Sequence, residues 1–521
     1  MRYHVRPLLA LAALVALDLL NHDSLGYFHP LTFAYVVIAF ALALTASLMP
    51  DVVRGPEDAA VDGDLTALGL IALSLTALGA ISVHLTFPDD ARALDAVRWF
   101  AVGGLIVCVA GLLWPARGLV GPIDRADLRA ILPIVLIGLT AGFLVIGLRV
   151  RISLAEPDWE TPAAFAALLA LGTLLYLRRT ALFRRESAGD GRAMAVWLGV
   201  ALVLAFAMRG LMLTAAPDPV IDVFALMRDA TDHVLAGKNP YAEDIITPYG
   251  TARARAHHND EPPDPRPAGY PPHPYLITAP FRAAGLDPRW ADVACDLVAA
   301  VALFGVAWRR NRPRAGFLAA VTFLFLPRTT VMIESAWYEP MIGALLGVGL
   351  WLIEMTGAIR WLGFVSLGLA LTAKQYGLPL LPAATWPHRR DWKMLLAGLV
   401  VGVLVMLPWF ICSPHDFMDT VLWKHLNRPS QHGRATTIAA AYYHATGVVP
   451  PRELLWAVAA GLIAVVSWRS NRQGATSALG IGTALLIFCL FHTQGFFNYF
   501  HLIQYLFLLG AIGLLPKEAS P

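Results

Sequence analysis

Apolar runs follow one another along almost the whole chain, and a single long polar stretch, residues 215–290, interrupts them. A helix that spans a bilayer needs roughly 20 predominantly apolar residues. Runs of this length or somewhat shorter fall at 7–20, 31–49, 65–87, 97–114, 130–148, 162–177, 193–214, 291–308, 315–333, 341–354, 361–373, 375–386, 395–411, 454–468, 477–491 and 499–515. The chain is 57% hydrophobic and 15% charged, with a mean hydropathy of +0.59, whereas soluble domains are about 45–50% apolar and about 25% charged. Backbone polar groups in lipid must be satisfied within the protein, so the expected fold is an all-α polytopic membrane protein. The opening Met1-Arg2-Tyr3-His4-Val5-Arg6 has the layout of a signal peptide, but a second apolar run follows after a short loop, so it reads as a retained first helix. The pair 361–373 and 375–386 is short and carries Gly377, Pro379 and Pro382, which suits a broken or re-entrant hairpin.

A net charge of +3 without a basic stripe argues against a nucleic-acid partner. Cys108, Cys295, Cys412 and Cys489 are not paired at metal-ligand spacing, so no disulfide framework, metal or cofactor is expected.

Basic residues set the orientation. With the N-terminus inside and alternating spans, Arg178, Arg179, Arg184, Arg185, Arg192, Arg309, Arg310, Arg312, Arg314, Arg389, Arg390 and Lys393 fall in cytoplasmic loops, as the positive-inside rule requires. Both termini are then cytoplasmic, and the loops 215–290 and 412–452 are extracytoplasmic. Asp222, Asp229, Asp232, Glu334, Glu339, His415, Asp416, His425, His492, Gln494 and Asn498 gather on that same face. The Arg-rich inner loop 178–192 divides the chain. Residues 1–190 form an N-terminal six-helix extension, and residues 191–521 form the core that holds the long outer loops.

Within the first outer loop, Asp218-Pro219 reads as a helix start and Gly237 as its stop. Phe224, Met227, Thr231, Val234 and Leu235 repeat at helical spacing, with Asp222, Leu226, Asp229 and His233 on the other side, so the segment is expected to lie on the bilayer surface with its apolar side down. Asp229 and Asp232 suit the solvated face of such a helix. Asp222, in the first turn beside the membrane edge, suits a general base that takes a proton from a hydroxyl.

Ile221-Asp222-Val223-Phe224, Leu235-Ala236-Gly237-Lys238-Asn239-Pro240-Tyr241, Tyr270-Pro271-Pro272 and Ala279-Pro280-Phe281 occur in that order. This resembles the first outer loop of the polyprenyl-phosphate-mannose-dependent mannosyltransferases of the GT-C superfamily, which include the α-1,2-mannosyltransferases of mycobacterial phosphatidylinositol mannosides. Thr372-Ala373-Lys374-Gln375 with Leu381-Pro382 is similar to that family's short Lys-containing hairpin, and the stretch from Gln494 to Tyr499 resembles its Gln…Asn-Tyr element. The resemblance covers roughly residues 193–515. It differs in one respect, since six helices precede the span that leads into the Asp loop. It implies a GT-C-like helical bundle, a polyprenyl-phosphate-linked sugar donor, a glycan or glycolipid acceptor, and Asp222 as the catalytic base. Mannose is favoured by the resemblance alone, with arabinose, glucose and galactose open.

A lipid-phosphate donor needs cations near the outer helix ends. Lys374, Arg328 and Arg209 answer that need, with snorkelling to headgroups as the plainer alternative. His492 and Gln494 are candidates to orient phosphate or sugar. Tyr270, Glu339 and Asp229 complete the expected substrate-binding set. A lipid or glycolipid transporter or flippase is the competing reading, and a non-catalytic GT-C-like partner is another. A transporter would place ionisable groups and broken helices near the midplane in two related halves, and the polar groups here favour one face.

Overall fold

A computed structural model describes residues 5–23, 30–49, 191–248, 251, 265–325, 327–427, 436–470, 473–492 and 497–515. The expected spans at 65–87, 97–114, 130–148 and 162–177 lie outside the described residues, as do Gln494 and the side chain of Arg328. Among the described residues everything regular is helical apart from one antiparallel bridge, Ile245 with Arg266. Two helices, α1 (Val5–Asp23) and α2 (Pro30–Leu48), come first. The core then runs through α3 (Gly191–Ala215), α4 (Asp222–Leu235), α5 (His273–Ala283), α6 (Trp290–Arg309), α7 (Pro313–Phe325), α8 (Pro327–Glu334), α9 (Glu339–Ile353), α10 (Ile359–Thr372) and α11 (Gly377–Thr385). A 3-10 segment (Trp386–Asp391) leads into α12 (Trp392–Cys412), followed by α13 (Pro414–Met418), α14 (Ile438–Thr446), α15 (Arg452–Arg469), α16 (Ala478–Phe491) and α17 (Phe497–Leu514).

Helical stretches long and apolar enough to cross a membrane are Met194–Thr214, Trp290–Arg309, Gly377–Cys412 and Gly474–Phe491, and shorter apolar helices accompany them. At about 1.5 Å per residue, α6 alone is about 30 Å long, the thickness of a hydrocarbon core. The chain is an all-α polytopic membrane protein. Leu396, Val400, Val403, Leu404, Leu407 and Ile411 of α12 and Leu454, Val458, Val465 and Trp468 of α15 are exposed. Apolar surface of that extent suits lipid contact.

Helices α6, α9, α16 and α17 form the middle of the bundle, and α16 is buried along nearly its whole length. Helices α1 and α2 pack on each other and against α17 and α16, where Ser47 Oγ lies 3.0 Å from Thr483 Oγ1. Helix α10 is wedged between α9 and α12 with backbone nearly touching backbone. A Cβ on Gly368 would stand 2.1 Å from the Gly398 carbonyl oxygen, and one on Gly398 would stand 2.0 Å from that of Phe364. Small residues at such crossings let membrane helices approach closely. Gly398→Leu is therefore expected to force these helices apart, at a cost of at least about 1–3 kcal/mol. A thermal melt of the detergent-solubilised variant checks this, with a melting temperature several degrees below the parent expected.

Within the expected span 315–333 the described helical residues are those of α7, up to Phe325, and of α8, whose first residue is Pro327, a residue suited to the first turn of a helix. The hairpin expected at 361–386 is present as α10 and the short α11. Between them, the peptide backbone passes so close that a Cβ on Gly377 would lie 1.7 Å from the Leu371 oxygen. At the far end of this hairpin Arg360 Nη2 bonds Asp391 at 2.6 Å and Arg310 Nη2 bonds Glu354 at 2.8 Å.

A second, smaller core sits at the opposite end of the bundle. Val223, Phe224, Leu226 and Met227 of α4 pack there with Tyr241, Tyr275, Trp337, Tyr338, Phe417 and Val421. Two expectations about α4 need correction. It begins at Asp222, not at Asp218-Pro219, while Gly237, at φ 70°, does end it. It is also no surface helix with one apolar side. Val223 through Met227 are all buried, and five consecutive residues at 100° each sweep the full circumference. Helix α5 packs along α4, and Arg282 of α5 bonds Asp232 at 2.7 Å, which covers part of the side expected to face water.

Candidate functional site

Asp222 is the first residue of α4, half-buried, with Oδ1 accepting the Val223 N–H at 2.8 Å. Its other oxygen is ion-paired with Arg266. The N-terminal end of a helix favours a carboxylate there. Arg266 is held by the two backbone bonds of its bridge to Ile245, 2.9 and 3.2 Å long. Four residues of chain lead on to Tyr270, which limits that separation to roughly 14 Å.

Tyr270 is fixed from three sides. Tyr241 donates its hydroxyl to the Tyr270 carbonyl at 2.8 Å, and the preceding Gly269 carbonyl accepts from Gln375 Nε2 at 2.7 Å and His425 Nε2 at 2.9 Å. Burial pushes the Tyr241 hydroxyl well above its ordinary value, which keeps it a donor. The Tyr270 ring stands edge-on to Tyr338, with centroids 4.8 Å apart.

Beside this ring lies Lys374, at the turn between α10 and α11. It is 5% exposed and its ammonium is ion-paired with Glu339. Three aromatic faces surround it, Tyr270 and Tyr376 at 5.4 Å and Tyr499 at 5.0 Å. Asn498 Nδ2 donates to the same Glu339 oxygen at 2.9 Å. Four separate segments thus converge on one buried ammonium, a geometry suited to cation–π stabilisation and to the gathering of negative charge.

Other expected site residues stand elsewhere. Arg209 is buried in α3, and its Nη2 bonds Asp296 at 2.7 Å and the Leu324 carbonyl at 2.9 Å while Nη1 bonds the Ala205 carbonyl at 3.2 Å. This charge is neutralised inside the bundle and ties α3 to α6 and α7. Asp229 pairs with its neighbour Arg228 at 2.6 Å. His492 stacks parallel to Trp456, 6.1 Å away, and packs on Phe488 at 4.6 Å. Arg328 stands on α8. His425, which the sequence places only among the polar residues of the outer face, is part of the clamp on Gly269. Sequence reasoning missed Arg266, hidden in a Pro-rich stretch, and Asp292 and Asp296, which lie within an apolar run. Their spacing of one helical turn inside a span was the available signal.

His273 opens α5 and is buried, with Nε2 3.0 Å from Thr372 Oγ1, just ahead of Lys374. Burial lowers its pKa to about 4, partly opposed by a backbone bond with Gly402. The unfolded chain takes up this proton near pH 6.5 and the folded chain only near 4. Between those values protons favour the unfolded state, so stability present above pH 6.5 falls as the pH drops through the window. The loss is on the order of 3 kcal/mol at its limit. Thermal melts between pH 7.5 and 4.5 check this, and His273→Gln is expected to flatten that slope.

Residues 269–493 match the family model described as glycosyltransferase family 87, a family of GT-C type. The matched stretch contains Tyr270, Glu339, Lys374 and His492, while Asp222 and Arg266 precede it. No curated protein and no solved structure matches the chain. The family match supports a membrane glycosyltransferase, which needs a sugar donor and an acceptor.

Proposed function

We propose that the protein transfers a sugar, mannose first, from a polyprenyl-phosphate donor to a glycan or glycolipid acceptor at the extracytoplasmic face of the cell membrane. The observation that carries this reading is the buried ammonium of Lys374 in its three-tyrosine cage, inside the stretch that matches a glycosyltransferase family. The exposed apolar flanks of α12 and α15 suit a donor whose chain stays in the bilayer. Residues 191–521 are the catalytic unit in this reading, and residues 1–190 are an extension.

The step is a direct displacement. Asp222 accepts the proton of an acceptor hydroxyl, whose oxygen attacks the anomeric carbon. The bond from that carbon to the phosphate oxygen breaks, and the polyprenyl phosphate leaves with the electron pair. Lys374 stabilises the leaving charge, which is worth most in a site of low polarity. Arg266 holds Asp222 at rest. Arg328, His492 and Gln494 remain candidates for the donor's phosphate and sugar, Tyr270 and Glu339 for its sugar. Arg209 and Asp229 serve indirectly, by setting the frame of α3 and α4.

Purified protein in lipid nanodiscs, given a panel of polyprenyl-phosphate sugars and a lipid extract as acceptor, tests the proposal. Transfer of label from one donor with release of polyprenyl phosphate is expected. Absence of transfer from every donor would sink it.

A further inference from the structure

Asp292 belongs to the first turn of α6 and is 0% exposed, yet neither of its carboxylate oxygens has a hydrogen-bond partner among the described residues. Arg289, the cation nearest in sequence, directs its guanidinium to Asp287 and the Glu334 carbonyl. A carboxylate buried in this way costs several kcal/mol unless something bonds it. It is not isolated in its need. Glu339 Oε2 and the Tyr376 hydroxyl are also buried without a partner. Helices α6 and α9 pack in the same direction, Ala302 against Gly347 and Trp351 against Gly305, so Asp292 and Glu339 stand at the same end of the pair, and Lys374, ion-paired with Glu339, lies over the Tyr376 ring at 5.4 Å.

We propose that Asp292, Tyr376 and the second oxygen of Glu339 form the subsite that reads the hydroxyl groups of the transferred sugar; this rests on the glycosyltransferase reading above. The chemistry selects the ligand class. Acidic side chains offer no cation to a phosphate, so the donor's phosphate belongs on the Lys374 side. Among the described residues no group of three or more His, Cys, Asp and Glu is placed to hold a metal ion. A polyol fits, because each sugar hydroxyl donates to a carboxylate while accepting from a tyrosine hydroxyl. Hydroxyl recognition of this kind discriminates strongly, since a sugar lacking the matched group leaves a buried acceptor unsatisfied. Asp292 is thereby a specificity-determining residue.

The experiment compares wild type, Asp292→Asn and Tyr376→Phe against the preferred polyprenyl-phosphate sugar, its epimers and its monodeoxy analogues, reading kcat/KM for each. In wild type at least one deoxy analogue is expected to lose about 10–100-fold, the value of a hydrogen bond to a charged group. Asp292→Asn is expected to lose a similar factor on the parent sugar and little further on that analogue, which flattens the ranking. A merely structural role would lower all sugars alike. Tyr376→Phe removes a single oxygen and carries the test should Asp292→Asn fail to fold. An unchanged ranking in the variants, with wild type active, would overturn the subsite and leave the glycosyltransferase reading standing. Activity that a chelator abolishes in wild type but not in Asp292→Asn would assign a cation to Asp292 and also overturn it. No transfer by wild type from any donor removes both.

Discussion

Replacing Asp222 by Asn is expected to reduce sugar transfer by on the order of 10²–10⁴-fold, the usual contribution of a general base. This corresponds to about 3–5.5 kcal/mol of transition-state stabilisation. The fold should survive the change. The pair with Arg266 is partly exposed, with side-chain exposures of 27% and 20%, and such pairs contribute only about 0–1 kcal/mol. An amide at this position still accepts the Val223 N–H. Donor binding, followed as thermal stabilisation by a polyprenyl-phosphate sugar, should therefore be close to normal while turnover is lost. A variant that turns over at the parental rate would take Asp222 out of the mechanism.

Lys374→Ala is expected to act on stability and on catalysis together. Removal of one partner from a buried ion pair costs about 3–5 kcal/mol, because the other charge is stranded. Loss of the cation that meets the leaving phosphate removes about 10²–10³-fold in kcat. The two effects separate in a double variant. Lys374→Met with Glu339→Gln replaces both charges with groups of similar volume, and Asn498 can still bond the new amide. Its melting temperature should return most of the way to the parental value while transfer stays reduced by at least about 10²–10³-fold. Recovery of activity in the double variant would reduce Lys374 to a structural role.

Much of the fold was legible because lipid imposes a simple rule on sequence. The apolar run 291–308 became Trp290–Arg309, and 454–468 became Arg452–Arg469. Backbone satisfaction in lipid forces helix wherever the apolar run is long enough, so few alternatives compete. The outer region obeys no such rule. A period-3.6 reading assigned Leu226 to a wet face, but it is buried in the smaller core with Tyr241, Tyr275 and Phe417. Packing of irregular segments depends on contacts between residues far apart in sequence, which periodicity does not report.

The candidate site divides in the same way. Lys374, Glu339 and Tyr270 were all selected from sequence, because a charge or ring at a helix end is visible in a string. Their convergence was not, since it depends on α9, the α10–α11 turn, the Tyr270 segment and α17 meeting in three dimensions. Arg209 illustrates the reverse. A cation within a span invites a ligand, but Asp296, two helices distant in the chain, already neutralises it. Asp292 escaped notice because apolar neighbours dominate its segment, although in a membrane those same neighbours make its carboxylate costly.

The central claim is that the donor phosphate sits on Lys374 with the sugar directed toward Asp222. An electron cryomicroscopy structure of the Asp222→Asn protein bound to an intact polyprenyl-phosphate sugar tests it most directly. The account predicts a phosphate oxygen within hydrogen-bond reach of the Lys374 ammonium and the anomeric carbon facing residue 222. A donor bound with its phosphate away from Lys374, or with residue 222 on the far side from the sugar, would contradict it.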